Sequence, residues 1–203
     1  MEPTALVLFD LDGVLCRYDR AVRVAHLAAT TGRSTEAVQH AIWGTGLESR
    51  ADAGQIDDDG YLRELGGHLQ HPLTRDDWLA ARRASMTLDL EVLDIAQSVA
   101  RRCRVAILTN NCRLLATCMD RLCPEVAALF GDAICATASY GVTKPAPGAY
   151  LGCLAQLGAA PGATLFIDDV EANVTGAIRA GLQACEFTSA EALARELGSR
   201  GLV

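Results

Sequence analysis

Four short apolar runs constrain this chain most: "TALVLF" at residues 4–9, "CRVAIL" at 103–108, "AICAT" at 133–137 and "TLFI" at 164–167. Each is strand-sized, β-branched in part, and followed by polar or acidic residues. Helical patterns separate the later runs. Leu90, Leu93, Ala96 and Ala100 recur at helix spacing within 89–101, and Leu115, Met119 and Leu122 share a stripe within 112–122. Pro147 opens a third pattern over 147–157 that Gly158 closes, and Gly181 follows a fourth over 172–180. Nearly continuous apolar strands alternating with helices predict an α/β chain, with a Rossmann-like parallel sheet covered by helices on both faces.

Residues 20–88 break this rhythm. No convincing strand stands out there. The pattern reads as four or five short helices interrupted at Gly32, Gly44–Gly46, Gly54, Gly66–Gly67 and Pro72. A small helical module is therefore expected as an insertion after the first strand. The expected division is a core of 1–18 and 89–203 with the module at 19–88.

The strand ends carry the chemistry. In "ALVLFDLDGV" the first run stops at Asp10, and Asp12 follows two positions later. Side chains alternate along an extended backbone, so both acids start on one side, and Gly13 permits the chain to turn. In open α/β sheets ligands bind beyond the carboxyl ends of the strands. Solvated turn residues are the plainer alternative for "DLDG" alone. A second acid pair, Asp168–Asp169, ends "TLFI". Like charges gathered on one rim repel unless a cation lies between them. Asp10, Asp169 and the main-chain carbonyl of Asp12 would offer oxygen ligands suited to Mg²⁺.

"AILTNN" ends in Thr109, Asn110 and Asn111, a hydroxyl and amides before an expected helix, which is either an anion site or an ordinary cap. Lys144 sits in "TKPAP", where Pro145 and Pro147 stiffen the loop. Together these strand ends suit phosphoryl transfer, a chemistry of positioning and charge stabilisation. Asp10 could attack phosphorus and Asp12 could exchange a proton with the leaving alcohol and then with water. Thr109 could hold a phosphoryl oxygen, while Mg²⁺ and Lys144 offset its charge.

Composition narrows the partners. The formal net charge of −7 argues against a nucleic-acid surface, which needs a basic stripe, but not against a small anionic substrate held beside a metal ion. No apolar run approaches the length of a membrane span, and the acidic N-terminus shows no signal peptide. The eight cysteines include no CxxC pair, which favours reduced thiols over a disulfide framework or a zinc site. A cytoplasmic protein acting on a small phosphorylated metabolite, without nucleic acid or membrane, is expected. Self-association is not readable.

The motifs "DLDGV" at 10–14, Thr109 with Asn110, Lys144–Pro145 and "IDD" at 167–169 with Asn173 resemble the haloacid dehalogenase-like hydrolase superfamily over nearly the whole chain. The inserted module resembles the small helical cap of one large branch of that family. "GQIDDDGYLREL" and "ILTNN" are similar to its sugar-phosphate phosphatases. The resemblance implies Asp10 as nucleophile, Asp12 as general acid and base, Thr109 as phosphate ligand, Lys144 as neutralising cation and Asp169 as main metal acid. It implies Asp168 as a second metal acid or a partner of Lys144, and Asn173 as support for Asp169 or a water. A phosphomutase and a catalytically silent binding protein are the alternatives. Substrate choice would lie in the cap. Arg17 and Tyr18 at its entrance are the best placed to touch substrate. Trp43, Arg50, Tyr61, His68, His71 and Trp78 could also face it, although cap-core or surface roles are the plainer reading of each.

Overall fold

The structure, a computed structural model, describes residues 3–203. Residues 1 and 2 of the expected 1–18 segment lie outside the described residues. The first strand, β1 (Leu6–Phe9), is followed by the short β2 (Cys16–Tyr18). Helices α1 (Arg20–Thr31), α2 (Thr35–Gln39), α3 (Leu47–Asp52), α4 (Asp58–Leu69) and α5 (Arg75–Ala84) come next, with a π-helical turn at His40–Gly44 between α2 and α3. The chain then runs through β3 (Met86–Leu88), α6 (Leu90–Ala100), β4 (Arg104–Thr109), α7 (Arg113–Thr117), α8 (Met119–Leu122), α9 (Pro124–Phe130) and β5 (Ile134–Ala136). It closes with α10 (Pro147–Leu157), β6 (Thr164–Asp168), α11 (Glu171–Arg179), β7 (Gln183–Glu186) and α12 (Ala190–Ser199).

The core is a parallel sheet in the order β5-β4-β1-β6-β7. Central β1 explains its own sequence. Val7 and Phe9 point into one apolar cluster, Leu6 and Leu8 into the other, and all four are buried. Burying a side chain such as Phe9 stabilises the fold by about 1.5–3 kcal/mol. The cluster under Val7 and Phe9 continues without a break into Leu27, Ile42, Leu65 and Trp78 of the inserted helices. The inserted helical cap is thus packed on one side of the sheet and shares its core.

Sequence patterning found four of the five strands of the sheet, the three inner ones and the edge strand β5, and missed others. The edge strand β7, "QACE", is only half-buried and needs no continuous apolar run. Within 20–88, where no strand was expected, Met86–Leu88 pairs antiparallel with Cys16–Tyr18. Three residues paired across some seventy positions leave no local periodic signal. The helix expected over 112–122 is two short helices, because Cys118 leaves helical geometry at φ −116°, ψ 21°.

The ends of the helices are chemically marked. Asp19, Ser34, Asp57, Thr74, Asp89 and Ser189 each cap a helix by accepting a backbone N–H. Thr74 and Asp77 form a reciprocal capping box on α5, the helix that runs back toward the sheet. Gly44, expected as a break, lies inside the π-helical turn, a geometry often found at functional sites.

Candidate active site

The polar strand ends meet in one cavity of about 720 Å³ at the carboxyl edge of the sheet. Asp10 leaves β1 with its backbone N–H still donating to Ile167 at 2.8 Å, which sets the first acid beside β6. One carboxylate oxygen of Asp10 accepts from the Leu11 N–H at 2.7 Å and lies 2.9 Å from Lys144 Nζ. Lys144 also donates to Asp168 Oδ2 at 2.7 Å and to the Leu108 carbonyl at 3.0 Å. The lysine is buried, and burial would strip its proton, but Asp10 and Asp168 outweigh burial and hold it well charged.

Asp168 is the buried counter-ion. Its Oδ1 accepts from the Val170 N–H at 2.8 Å, and Asn173 Nδ2 donates to both oxygens at 3.0 and 3.1 Å. The expectation that Asn173 supports Asp169 is corrected: its amide serves Asp168, because α11 begins directly beneath that carboxylate. Asp169 instead turns into the cavity over Gly13. Gly13 has φ +94°, and a Cβ there would collide with the Asp169 carboxylate, so glycine both turns the loop and clears this approach.

Oxygens of Asp10, Asp168 and Asp169 lie within 4.8 Å of one another. Burial pushes the Asp10 carboxyl up to about 8; Lys144 pulls it down, while Asp168 and Asp12 push it further. Burial, then Asp168, raises Asp169 as well. An all-oxygen set of acids with one lysine against them, and with a space kept clear by Gly13, fits a hard divalent cation such as Mg²⁺. The Asp12 side chain stands outside this set. Its Oδ2 accepts from Arg82 at 2.5 Å and from Asn111 at 3.1 Å.

Thr109, at the end of β4, is buried and accepts from Asn111 Nδ2 at 2.8 Å, which leaves its hydroxyl proton free to donate. Asn110 lines the cavity, yet its side chain is committed elsewhere. It donates to the Lys144 carbonyl at 3.0 Å and accepts the Lys144 N–H at 2.9 Å, so it holds the lysine loop rather than offering a free amide to a ligand. The Lys144–Pro145 bond in that loop is cis.

The cap supplies the opposite wall: Arg17, Tyr18, Arg20, Trp43, Glu48, Ser49, Asp52 and Arg82. Trp43 is carried in by the π-helical turn. Tyr18 is a support, its hydroxyl accepting from Arg23 at 2.9 Å and its ring lying 3.9 Å from the Arg82 guanidinium. Arg23 is buried and ion-paired to Glu48 at 2.5 Å, and Tyr61 joins both through its hydroxyl. Burial works against the Glu48 charge, but Arg23 overcomes it and holds Glu48 below the usual carboxylate range. Burial, with Glu48 close by, pushes Asp52 up to about 8, and its carboxylate accepts no hydrogen bond from any described residue.

Of the other cap candidates, Trp78 and Tyr61 are buried in the packing, and Arg50 pairs with Glu64 at the surface. His68 is exposed, and His71 lines a separate groove. The sequence reading missed Arg23, Arg82, Glu48 and Asp52 altogether. A signal existed for the arginines: Arg82 falls four residues after Trp78, and Arg23 four before Leu27, so each sits on a buried helix stripe.

An oxygen-rich acid cluster around a buried lysine, at the strand ends of a parallel sheet and under an inserted helical cap, is the arrangement of a capped hydrolase on a Rossmann-like core. The family model for haloacid dehalogenase-like (HAD) hydrolase matches residues 4–181, and the chain belongs to that family. A predicted HAD-like family hydrolase from Porphyromonas gingivalis superposes with a TM-score of 0.78 at 25% identity, covering 97% of this chain and 98% of that one. A HAD family enzyme from Bacteroides thetaiotaomicron, solved with magnesium and inorganic phosphate, shares the fold at a TM-score of 0.76, 18% identity and 91% and 94% coverage. In sequence, N-acylneuraminate-9-phosphatase from Rattus norvegicus is 29% identical over 108 residues, 53% of this chain and 43% of that protein. The match therefore spans less than half the length of that relative. Among the described residues no helix is long and apolar enough to cross a membrane, and all eight cysteines carry free thiols.

Proposed function

We propose that this chain is a Mg²⁺-dependent phosphatase that hydrolyses a small phosphate monoester through an aspartyl-phosphate on Asp10. The observation that carries the proposal is the buried trio of Asp10, Lys144 and Asp168, with Asp169 turned toward it across Gly13. Lys144 holds the Asp10 carboxylate in place. The other Asp10 oxygen is the one that attacks phosphorus. Asp12 gives a proton to the departing alcohol and later takes one from the attacking water. Thr109 and the backbone around Asn110 receive the phosphoryl oxygens at the end of β4. Asp10, Asp169, the Asp12 carbonyl and Asp168 would hold the ion. When bound, it offsets charge on the phosphoryl group.

The leaving group belongs under the cap. A cavity of about 720 Å³ far exceeds a phosphate, and its cap wall offers Ser49, Asp52 and Trp43. Polar groups beside an aromatic face suit a hydroxyl-rich leaving group such as a sugar. The neuraminate-phosphatase likeness agrees with that class without naming the substrate. The free thiols suit a reducing, cytoplasmic setting.

The test is phosphate release from a panel of small monoesters, with and without Mg²⁺, beside Asp10→Asn. Release that needs Mg²⁺ and disappears in the variant is expected. Release that persists in Asp10→Asn removes the covalent mechanism.

A further inference from the structure

Resting on the phosphatase reading, we propose that Arg82 is the positioning residue that holds Asp12 ready for proton transfer, so that leaving-group protonation is available only when the cap is seated. Arg82 lies on α5, the last helix of the insertion, seventy positions from Asp12. Its side chain is 1% exposed, where a surface arginine would be far cheaper to hold. One nitrogen donates to Asp12 Oδ2 at 2.5 Å and reaches Asn111 Oδ1 at 3.4 Å. Tyr18 of β2 covers its face. Arg82 Nε, by contrast, is buried without a partner, as is Asp12 Oδ1.

The two oxygens of Asp12 therefore have different work. Oδ2 is fixed by Arg82 and Asn111, and Oδ1 is left to exchange the proton. In the first step the Asp10 oxygen bonds to phosphorus, the bond from phosphorus to the ester oxygen breaks, and Oδ1 gives that oxygen its proton. In the second, water attacks phosphorus, Oδ1 takes the water proton, and the Asp10–phosphorus bond breaks to free phosphate. Both events need the same carboxylate orientation. The cap supplies it, because β2 and α5 bring Tyr18 and Arg82 to Asp12 together.

Leaving-group dependence separates positioning from mere packing. Nitrophenolate departs without a proton, whereas the alkoxide of benzyl alcohol does not. The experiment compares kcat/KM for p-nitrophenyl phosphate and benzyl phosphate, with Mg²⁺, in wild type and Arg82→Gln. The benzyl ester should lose about 100-fold in Arg82→Gln and the nitrophenyl ester much less, so that their ratio falls by about tenfold or more. Added guanidinium should restore the ratio in Arg82→Ala. Tyr18→Leu keeps the arginine but removes its support, and should lower the ratio by less, which serves if the Arg82 variants do not fold. An equal loss on both esters, or no loss, overturns the proposal. Wild type releasing no phosphate from these esters or from any monoester of the panel removes the phosphatase reading, and this proposal with it.

Discussion

The rim of the sheet and the wall of the cap both bury charge, and they balance it differently. At the rim, Lys144 faces Asp10, Asp168 and Asp169, so negative charge is in excess, and burial, with Asp168 adding to it against the pull of Lys144, drives the Asp10 carboxyl up to about 8. In the cap, Arg23 meets Glu48, and the same two terminal nitrogens also donate to the hydroxyls of Tyr18 and Tyr61. A balanced buried pair holds structure together. An unbalanced one marks where a ligand with the missing charge belongs. Arg82 with Asp12 joins the two regions.

Removing Lys144 should break the comparison most visibly. Lys144→Met leaves Asp10 and Asp168 buried without their cation. It should cost about 3–5 kcal/mol in urea unfolding and lower phosphate release by roughly a thousandfold. A variant of normal stability would mean that the rim charge is not held by this lysine.

Arg23→Met strikes the balanced side. Glu48 is then buried alone, and a loss of about 3–5 kcal/mol is expected. The double change Arg23→Met with Glu48→Met should regain most of that stability. Failure of the double variant to recover would show that the pair does more than balance itself.

Asp52 sharpens the contrast inside the cap. Its carboxyl stands at about 8 in the folded protein and at about 3.9 in the unfolded chain. Between these values only the folded form keeps the proton, so Asp52 makes stability fall as pH rises from about 4 to about 8, with the full penalty above that. Asp52→Asn should gain stability over wild type at alkaline pH and almost none near pH 4, read from urea midpoints across the range. Parallel curves for the two proteins would contradict a buried neutral acid at this position.

The smallest effect is expected at the surface. Arg50 and Glu64 are both well exposed, with side chains 43% and 39% accessible. Arg50→Ala should change stability by no more than about 0.5 kcal/mol by the same unfolding measurement.

Much of the rim could be read from the chain in order. Asp10, Thr109 and Asp168–Asp169 follow or end apolar runs, Lys144 stands in the Pro-rich loop after β5, and a parallel sheet brings successive strand ends to one edge. Local patterning could not tell which neighbour each group chooses. Asn110 looked like a ligand and clasps the Lys144 backbone; Asn173 looked like a support for Asp169 and serves Asp168. Tyr18, expected at the substrate, lines the cavity and also steadies two arginines.

What the sequence determined by itself is the sheet's inner strands, the rim chemistry and the presence of an inserted helical segment, because each is written in local periodicity and in residue types at strand ends. The tertiary structure alone decided the pairing of β2 with β3, the burial of Arg23 and Arg82, and the turn of the Asp12 carboxylate away from the other acids. Those depend on contacts between residues far apart in the chain, whose energies come from burial and charge balance and leave no periodic trace along it.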